Sequence, residues 1–251
     1  MLDYLILLLV SFFANAFSAF VGGGAGLLQL PVLLFLGLPF SMALATHKLA
    51  TVALGVGATL RHLRERTLDL RFSAVILASG LPGVVLGANI ILQVPDKLAT
   101  ALLGVLTIGL GVYSWLSPAL GQQLRLKHRT FTGYLIGSFV IFFIGILNGS
   151  LTSGTGLFVT LWLVYWFGLD YKSAVAYTLV LVGLFWNGSG ALTLALQTEV
   201  QWDWIPVLLV GSLLGGYVGA HLSIVKSNKL IKRSFEIVTI LVGIKLILDV
   251  V

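Results

Sequence analysis

The chain has 251 residues, of which 58% are hydrophobic and 10% are charged, and its formal net charge is +6. So few charged residues cannot cover a water-facing surface, and this composition excludes an ordinary soluble protein. The basic residues lie in short loops between apolar segments, which is typical of membrane topology and not of a nucleic-acid surface. The chain contains no cysteine, which excludes disulfides and thiolate metal sites.

Glycine, proline and charge placement divide the chain into ten apolar segments. The predicted helices cover residues 2–20, 26–37, 41–60, 72–92 and 98–117 in the first half, and residues 131–150, 156–168, 173–195, 204–224 and 231–249 in the second. Residues 26–37 and 156–168 are too short to cross a hydrocarbon core of ~30 Å, because an α-helix rises only ~1.5 Å per residue. The sequence therefore predicts an all-α integral membrane protein in which each half is a glycine-broken helical hairpin followed by three spanning helices.

The two halves resemble each other at a nearly constant offset. Residues 24–27 (GAGL) recur as residues 154–157 (GTGL), and residues 83–88 (GVVLGA) resemble residues 215–220 (GGYVGA). Such tandem hydrophobic halves are typical of secondary transporters, whose substrate site lies where the halves meet. The predicted organisation is a first membrane repeat at residues 1–120, a cytoplasmic linker at residues 121–130 and a second membrane repeat at residues 131–251.

The distribution of basic residues predicts the orientation of the two halves. Residues 61–71, 125–129, 172 and 226–233 contain 12 of the 15 lysines and arginines, and the positive-inside rule places them in the cytoplasm. The counterpart of the basic loop 61–71 in the second half carries only acidic charges, Glu199 and Asp203. Opposite charge bias at matching loops predicts inverted-topology repeats, with both termini outside.

Two glycine-rich breaks interrupt otherwise apolar helices, at residues 21–31 (VGGGAGLLQLP) and at residues 147–157 (LNGSLTSGTGL). Non-helical backbone at membrane depth is tolerated only where it is buried in protein or lines a wet cavity, so this related pair predicts a central site. The helices that begin near Gly26 and Gly156 would direct N–H groups and positive dipole ends at that site, which suits an anion. The predicted substrate contacts in the breaks are Gly22, Gly23, Gly24, Gly26, Asn148, Ser150, Thr152, Ser153, Gly154, Thr155 and Gly156.

Close helix packing is the alternative explanation for glycine in a membrane helix. We favour packing for the GxxxG pairs Gly83 with Gly87 and Gly215 with Gly219, because small residues let two backbones approach. For the two breaks we favour the binding site, since packing alone does not require the added serine, threonine and asparagine.

Lys48 lies inside the third apolar segment, directly after Thr46 and His47. A charged residue there costs at least ~2.5 kcal/mol unless it finds a partner or a wet cavity. We expect Lys48 to supply a positive charge for an anionic substrate, and Thr46 and His47 to supply hydrogen bonds or a proton site. The alternative is that Lys48 lies about one turn from the surface and extends its ammonium group to water.

Other polar residues carry weaker signals. Asn187 either lines the cavity or bridges two helices, and Glu236 and Lys245 fit an interfacial position better than a proton relay. The sequence contains no Walker loop, no HExxH motif, no GxSxG motif and no paired carboxylates in its apolar segments. It therefore gives no support to an ATPase, a zinc protease or a serine hydrolase, and it predicts neither a cofactor nor a metal site.

The motifs together resemble one known family. The glycine run at residues 22–26 followed by Pro31, the residues 45–50 (ATHKLA) and the second-half residues 149–156 (GSLTSGTG) are similar to the sulfite exporter TauE/SafE family of bacterial permeases. The resemblance implies a multi-pass permease of the plasma (inner) membrane for a small anion, such as sulfite, thiosulfate or an organosulfonate. It also implies an ion gradient as the driving force, with a proton or another coupling ion. The second break departs from the run of three glycines, which bears on substrate identity.

The leading hypothesis is a secondary transporter of a small anion that works by alternating access at a site between the repeats. An anion channel is the alternative, because a pore and a carrier can use the same central site. A membrane scaffold or sensor without transport ranks last, because it leaves both broken hairpins without a role.

Overall fold

The computed structural model describes residues 2–65, 68–90, 96–151 and 154–248. Within these ranges the chain forms ten main helices, a short 3₁₀ turn at Trp202–Trp204 and no strand. The helices are α1 (Leu2–Val21), α2 (Gly26–Phe35), α3 (Phe40–His62), α4 (Leu70–Ile90), α5 (Asp96–Leu116), α6 (Phe131–Ser150), α7 (Thr155–Tyr165), α8 (Tyr171–Ala195), α9 (Ile205–Val225) and α10 (Asn228–Leu248). Each corresponds to one predicted segment; residues 91–92 and 249 of those segments lie outside the described residues.

Six of the described helices are long and apolar enough to cross a bilayer, namely α1, α3, α4, α6, α8 and α9. The all-α membrane fold is therefore confirmed. The first arm of each hairpin, α1 or α6, has 20 residues, whereas the second arms α2 and α7 have 10 and 11. Each hairpin thus joins one helix of spanning length to one short helix, with the glycine-rich break between them.

Helix α8 departs from regular α-helix in its middle. It is α-helical at Tyr171–Tyr177 and Asn187–Ala195, but residues Thr178–Trp186 form a π-helical segment. Such segments are rare and often lie at functional sites. This segment packs against α3.

Small residues allow the closest contacts between the two halves. Helix α4 packs along α6, and its second-half counterpart α9 packs along α1. A Cβ atom on Gly83 would collide with the carbonyl oxygen of Phe142 in α6, and one on Gly215 would collide with that of Phe12 in α1. The interpretation of these glycines as packing residues is confirmed.

Most of the basic loops gather at one end of the helical bundle, which we call the basic end. The linker after α5 contacts the loop before α8, where the Arg125 N–H donates to the Gly168 carbonyl oxygen at 2.8 Å. The linker also contacts the start of α10, where Asn228 Nδ2 donates to the Gln122 carbonyl oxygen at 3.2 Å. The loop before α4 contacts α8, because the Asp69 N–H donates to the hydroxyl oxygen of Tyr177 at 2.7 Å.

The opposite end is formed by the start of α3, the end of α4 and the loop between α8 and α9. The Gln201 N–H in that loop donates to Thr46 Oγ1 of α3 at 3.0 Å. Gln197 Nε2 donates to Asn89 Oδ1 of α4 at 2.9 Å. Helix α3 therefore runs from this end to the basic end, and α4 returns.

A buried ion pair links α10 to α5. Glu236 is 6% exposed, pairs with Lys232 one turn earlier and accepts from the Ser114 hydroxyl at 3.2 Å. Glu236 is therefore covered by protein, and its partners from two helices make burial of the carboxylate tolerable, while its interfacial depth stays a prediction. Lys245 is exposed.

Candidate functional site

The two glycine-rich breaks are in direct contact. Gly22, Gly23 and Gly24 have φ values of +91°, +146° and +104°, a region that residues with a side chain rarely adopt. Gly23 lies so close to the start of α7 that a Cβ atom on it would come within 2.6 Å of the carbonyl carbon of Gly156. The carbonyl oxygen of Gly22 accepts a hydrogen bond from Thr160 Oγ1 of α7 at 2.8 Å. The first break is thus held against the second half of the chain.

The second break uses a polar side chain as well as glycine. Gly154 is left-handed, with a φ of +77°, and precedes the first residue of α7. Asn148, in the last turn of α6, donates from Nδ2 to Thr155 Oγ1 at 2.9 Å and so joins the two arms of the hairpin. The Ser150 hydroxyl instead donates to the carbonyl oxygen of Ile146 in its own helix. Thr152 and Ser153, also predicted as contacts, lie outside the described residues.

A cavity of about 40 Å³ lies where the breaks meet. This volume holds about three water-sized groups. The predicted site residues that line it are Gly23, Gly24, Gly26, His47, Asn148, Gly156 and Asn187. The other polar residues that line it are Ser18, Thr51 and Thr178. Helices from both halves therefore share one cavity.

The cavity wall contains pairs of residues that occupy matching positions in the two halves. Ser18 and Asn148 are 130 positions apart, and His47 and Thr178 are 131 positions apart. The sequence analysis did not identify Ser18, Thr51 or Thr178 as wall residues. The repeat offset is a signal that could have found Ser18 from Asn148 and Thr178 from His47. Thr51 follows His47 by four residues and so shares its helix face.

Lys48 is 0% exposed and lies directly behind the cavity wall. Its ammonium group donates to the carbonyl oxygen of Asn148 at 2.7 Å and lies 3.4 Å from Oδ1 of the same residue. That carbonyl belongs to the last turn of α6, where carbonyls lack intrahelical partners and the helix dipole is negative. The ion pairs of the described residues involve other lysine and arginine side chains, so no described carboxylate neutralises Lys48. The alternative in which Lys48 extends to the surface is wrong.

The two residues before Lys48 have different surroundings. Thr46 Oγ1 accepts from the Gln201 N–H at the opposite end and does not line the cavity, so the structure separates it from the other predicted site residues. His47 lines the cavity, and its Nδ1 lies 3.0 Å from Gln29 Oε1. Because a carbonyl oxygen only accepts, we assign the proton to Nδ1, which leaves Nε2 as an acceptor in the neutral ring.

Asn187 both lines the cavity and bridges two helices, which combines the two predicted alternatives. Its Nδ2 donates to Thr51 Oγ1 at 3.2 Å, and the Thr51 hydroxyl donates to the carbonyl oxygen of Lys48 at 2.9 Å. The residue that directly follows the π-helical part of α8 is thereby connected to α3 beside the cavity. Among the described residues, no group of three histidine, aspartate or glutamate side chains is placed to hold a metal ion.

Comparisons with known proteins agree with this architecture. The model of the family described as Sulfite exporter TauE/SafE matches residues 7–246. A "Probable membrane transporter protein" of Haemophilus influenzae is 32% identical over 244 residues, covering 97% of this chain and 94% of the relative. The "Probable membrane transporter protein YfcA" of Escherichia coli K12 is 30% identical over 247 residues, covering 97% and 91%. No solved structure matches the chain. The protein is a multi-pass membrane protein that belongs to the sulfite exporter TauE/SafE family.

Proposed function

We propose that the protein is a secondary transporter of a small anion, sulfite or a related sulfur-containing anion, and that the anion binds in the central cavity. The observation that carries this proposal is the contact of Gly23 with Gly156 beside a cavity lined by both halves. Membrane transporters built from repeats bind substrate at such an interface, where half-helix N-termini point at anionic groups. Membrane transport is also what the printed names of the relatives describe.

The chemistry of the cavity favours an anion. Gly26, the first residue of α2, and Gly156, the second residue of α7, line the wall, and the first N–H groups of a helix have no intrahelical acceptor. The amide groups of Asn148 and Asn187 add donors, and none of the described residues that line the wall is an aspartate or a glutamate. Behind Asn148, the Lys48 ammonium adds a positive charge in a low-dielectric region, where an anion gains more from it than in water.

Alternating access requires two halves that can move against each other around the site. We infer that residues 1–120 and 131–251 are inverted repeats, with the basic end in the cytoplasm and both termini outside. Support comes from α3, which ends at the basic end, and from its counterpart α8, which begins there. The exchanged packing of α4 on α6 and of α9 on α1 also agrees with a two-fold relation between the halves.

Counterflow in proteoliposomes tests the proposal. Vesicles loaded with unlabelled sulfite should accumulate radiolabelled sulfite transiently, because a carrier exchanges its substrate across the membrane. Single-molecule currents without counterflow would indicate the anion channel instead. Absence of counterflow with sulfite, thiosulfate and an alkanesulfonate would contradict the proposed transport.

The charge of Lys48 is tested in the same assay. Lys48→Met keeps an unbranched side chain of nearly the same length but removes the ammonium group, and we expect the sulfite flux to fall by about tenfold or more. Lys172→Met is the matched control, because the Lys172 ammonium also donates to a backbone carbonyl, that of Ile224 at 2.7 Å, but at the basic end. Equal flux in the two variants would remove Lys48 from the mechanism.

A further inference from the structure

A second cavity, of about 400 Å³, lies at the basic end. It is lined by Asp69, Leu124, Leu126, Arg129, Tyr134 and Tyr177 together with Leu169 and Ser173. Arg129 ends the linker between the halves, just before the residue that caps α6. Its guanidinium carbon lies 4.0 Å from the centre of the Phe72 ring, and its Nη1 donates to the Tyr134 hydroxyl at 3.2 Å.

The guanidinium group of Arg129 has hydrogen-bonding capacity that the protein does not use. Its Nε atom is buried and has no hydrogen-bond partner. None of the ion pairs among the described residues includes Arg129. Asp69 lines the same cavity, but its Oδ1 accepts from the Phe72 N–H at 2.7 Å at the start of α4. A partly buried arginine without a carboxylate partner is suited to an oxyanion, because its planar fork matches two oxygen atoms.

Aromatic side chains hold Arg129 in place. The Phe72 ring beneath the guanidinium packs edge-on against Phe167 at 4.9 Å and against Tyr177 at 5.1 Å. This support restricts the motion of a long side chain, so less conformational entropy is lost when a ligand binds.

The second cavity adjoins the central one through α8. Tyr177 lines the cavity at the basic end, and the next residue, Thr178, lines the central cavity. The hydroxyl oxygen of Tyr177 accepts from the Asp69 N–H, so its proton is available to another acceptor. The start of the π-helical segment of α8 therefore separates the two cavities.

We propose that the cavity around Arg129 is a second binding site for the transported oxyanion, occupied as the anion passes between the basic end and the central cavity. This inference rests on the proposed function. Arg129 supplies the charge and paired N–H donors, and the hydroxyl groups of Tyr177 and Ser173 complete the contacts. Because the site belongs to one end of the protein, it acts on anion entry from that end only.

The experiment compares Arg129→Gln, Arg129→Lys and the control Arg125→Gln. Arg125 lies on the same linker and is exposed, so the control removes an equal charge outside the cavity. Initial rates of radiolabelled sulfite uptake are measured in inside-out and right-side-out vesicles. We expect Arg129→Gln to raise the half-saturating sulfite concentration at the basic end by about tenfold. Its maximal rate, and its half-saturation at the opposite end, should stay close to wild type.

Arg129→Lys keeps the charge without the planar fork, so its half-saturation should fall between wild type and Arg129→Gln. A maximal rate that falls equally from both ends would show a purely structural role and overturn the inference. An effect that disappears in vesicles of neutral lipid would assign Arg129 to lipid head groups, which also overturns it. If wild-type flux is normal and Arg129→Gln has the same half-saturating concentration as Arg125→Gln, this second site is rejected and the proposed function stands. If the wild type itself shows no sulfite flux, both proposals are rejected.

Discussion

The two helix breaks border one cavity but are built from different groups. In the first, Gly22 and Gly23 donate their backbone N–H groups to one acceptor, the Ser18 carbonyl oxygen, at 2.9 and 2.8 Å. In the second, a single left-handed glycine, Gly154, is combined with the side-chain amide of Asn148. The first break thus contributes backbone to the cavity, whereas the second also contributes a polar side chain.

The difference continues in the helices that flank the breaks. His47 and Lys48 of α3 have Thr178 and Leu179 as their counterparts in α8. The positive charge therefore comes from the first half, and the carbonyl group that binds it, that of Asn148, comes from the second. Both breaks thus border one cavity, while the positive charge beside it is supplied by Lys48 of the first half. The following variants test this division between backbone and side-chain contributions.

Gly23→Ala should have the largest effect. A methyl group there would lie 2.6 Å from backbone atoms of Gly156 and Leu157, which cannot move aside as a flexible side chain can. Overpacking costs about 1–3 kcal/mol, and the positive φ adds about 1–2 kcal/mol. We expect sulfite flux to fall by about tenfold or more and the Tm to decrease, measured by flux assay and thermal unfolding in detergent.

Gly37→Ala is the matched control for this variant. Gly37 also has a positive φ, +95°, but a Cβ atom there meets nothing within 4 Å. It therefore carries the backbone penalty without the collision. If the two variants show the same loss of flux and the same decrease in Tm, then the close approach of the two breaks is not the reason why position 23 needs a glycine.

Asn148→Ala should have the second largest effect, and Ser18→Ala is its counterpart in the other half. Asn148→Ala removes the buried hydrogen bond to Thr155 Oγ1, a loss that costs about 0.5–1.5 kcal/mol. We expect the transport efficiency, kcat/KM for sulfite, to fall about tenfold. Ser18→Ala keeps the carbonyl that binds the first break, so its efficiency should stay within about threefold of wild type. Equal losses would show that the side chains of Ser18 and Asn148 contribute equally to transport.

The sequence predicted the helices well because glycine, proline and charge mark where helices end in an apolar chain. It identified His47 and Asn187 as wall residues because polar groups in apolar spans need partners. It could not separate Thr46 from His47, since adjacent residues differ by about 100° around a helix and the rotation of α3 is set by packing. Nor did it predict the π-helical segment Thr178–Trp186, whose apolar composition also fits a regular helix. The inverted orientation and the roles of the site residues stay predictions.

Thr160→Val should have the smallest effect of the three and tests how the first break is held. The Thr160 hydroxyl donates to the Gly22 carbonyl oxygen at 2.8 Å, and it connects the backbone of the first half to α7. Valine keeps the shape but leaves that carbonyl without this partner, which costs about 1–3 kcal/mol. We expect the Tm to fall by about 2–4 °C per kcal/mol and the flux to fall only about twofold to threefold.

Thr193→Val provides the comparison, because the Thr193 hydroxyl donates to the Ser189 carbonyl oxygen of its own helix. That carbonyl lies in a continuous helix and keeps its backbone partner, so the variant should change the Tm little. A Tm for Thr160→Val as high as that for Thr193→Val would mean that the first break holds its shape through its own glycines. The larger loss expected for Thr160→Val would mean that the second half holds the first break in position, so that the two breaks act as one unit.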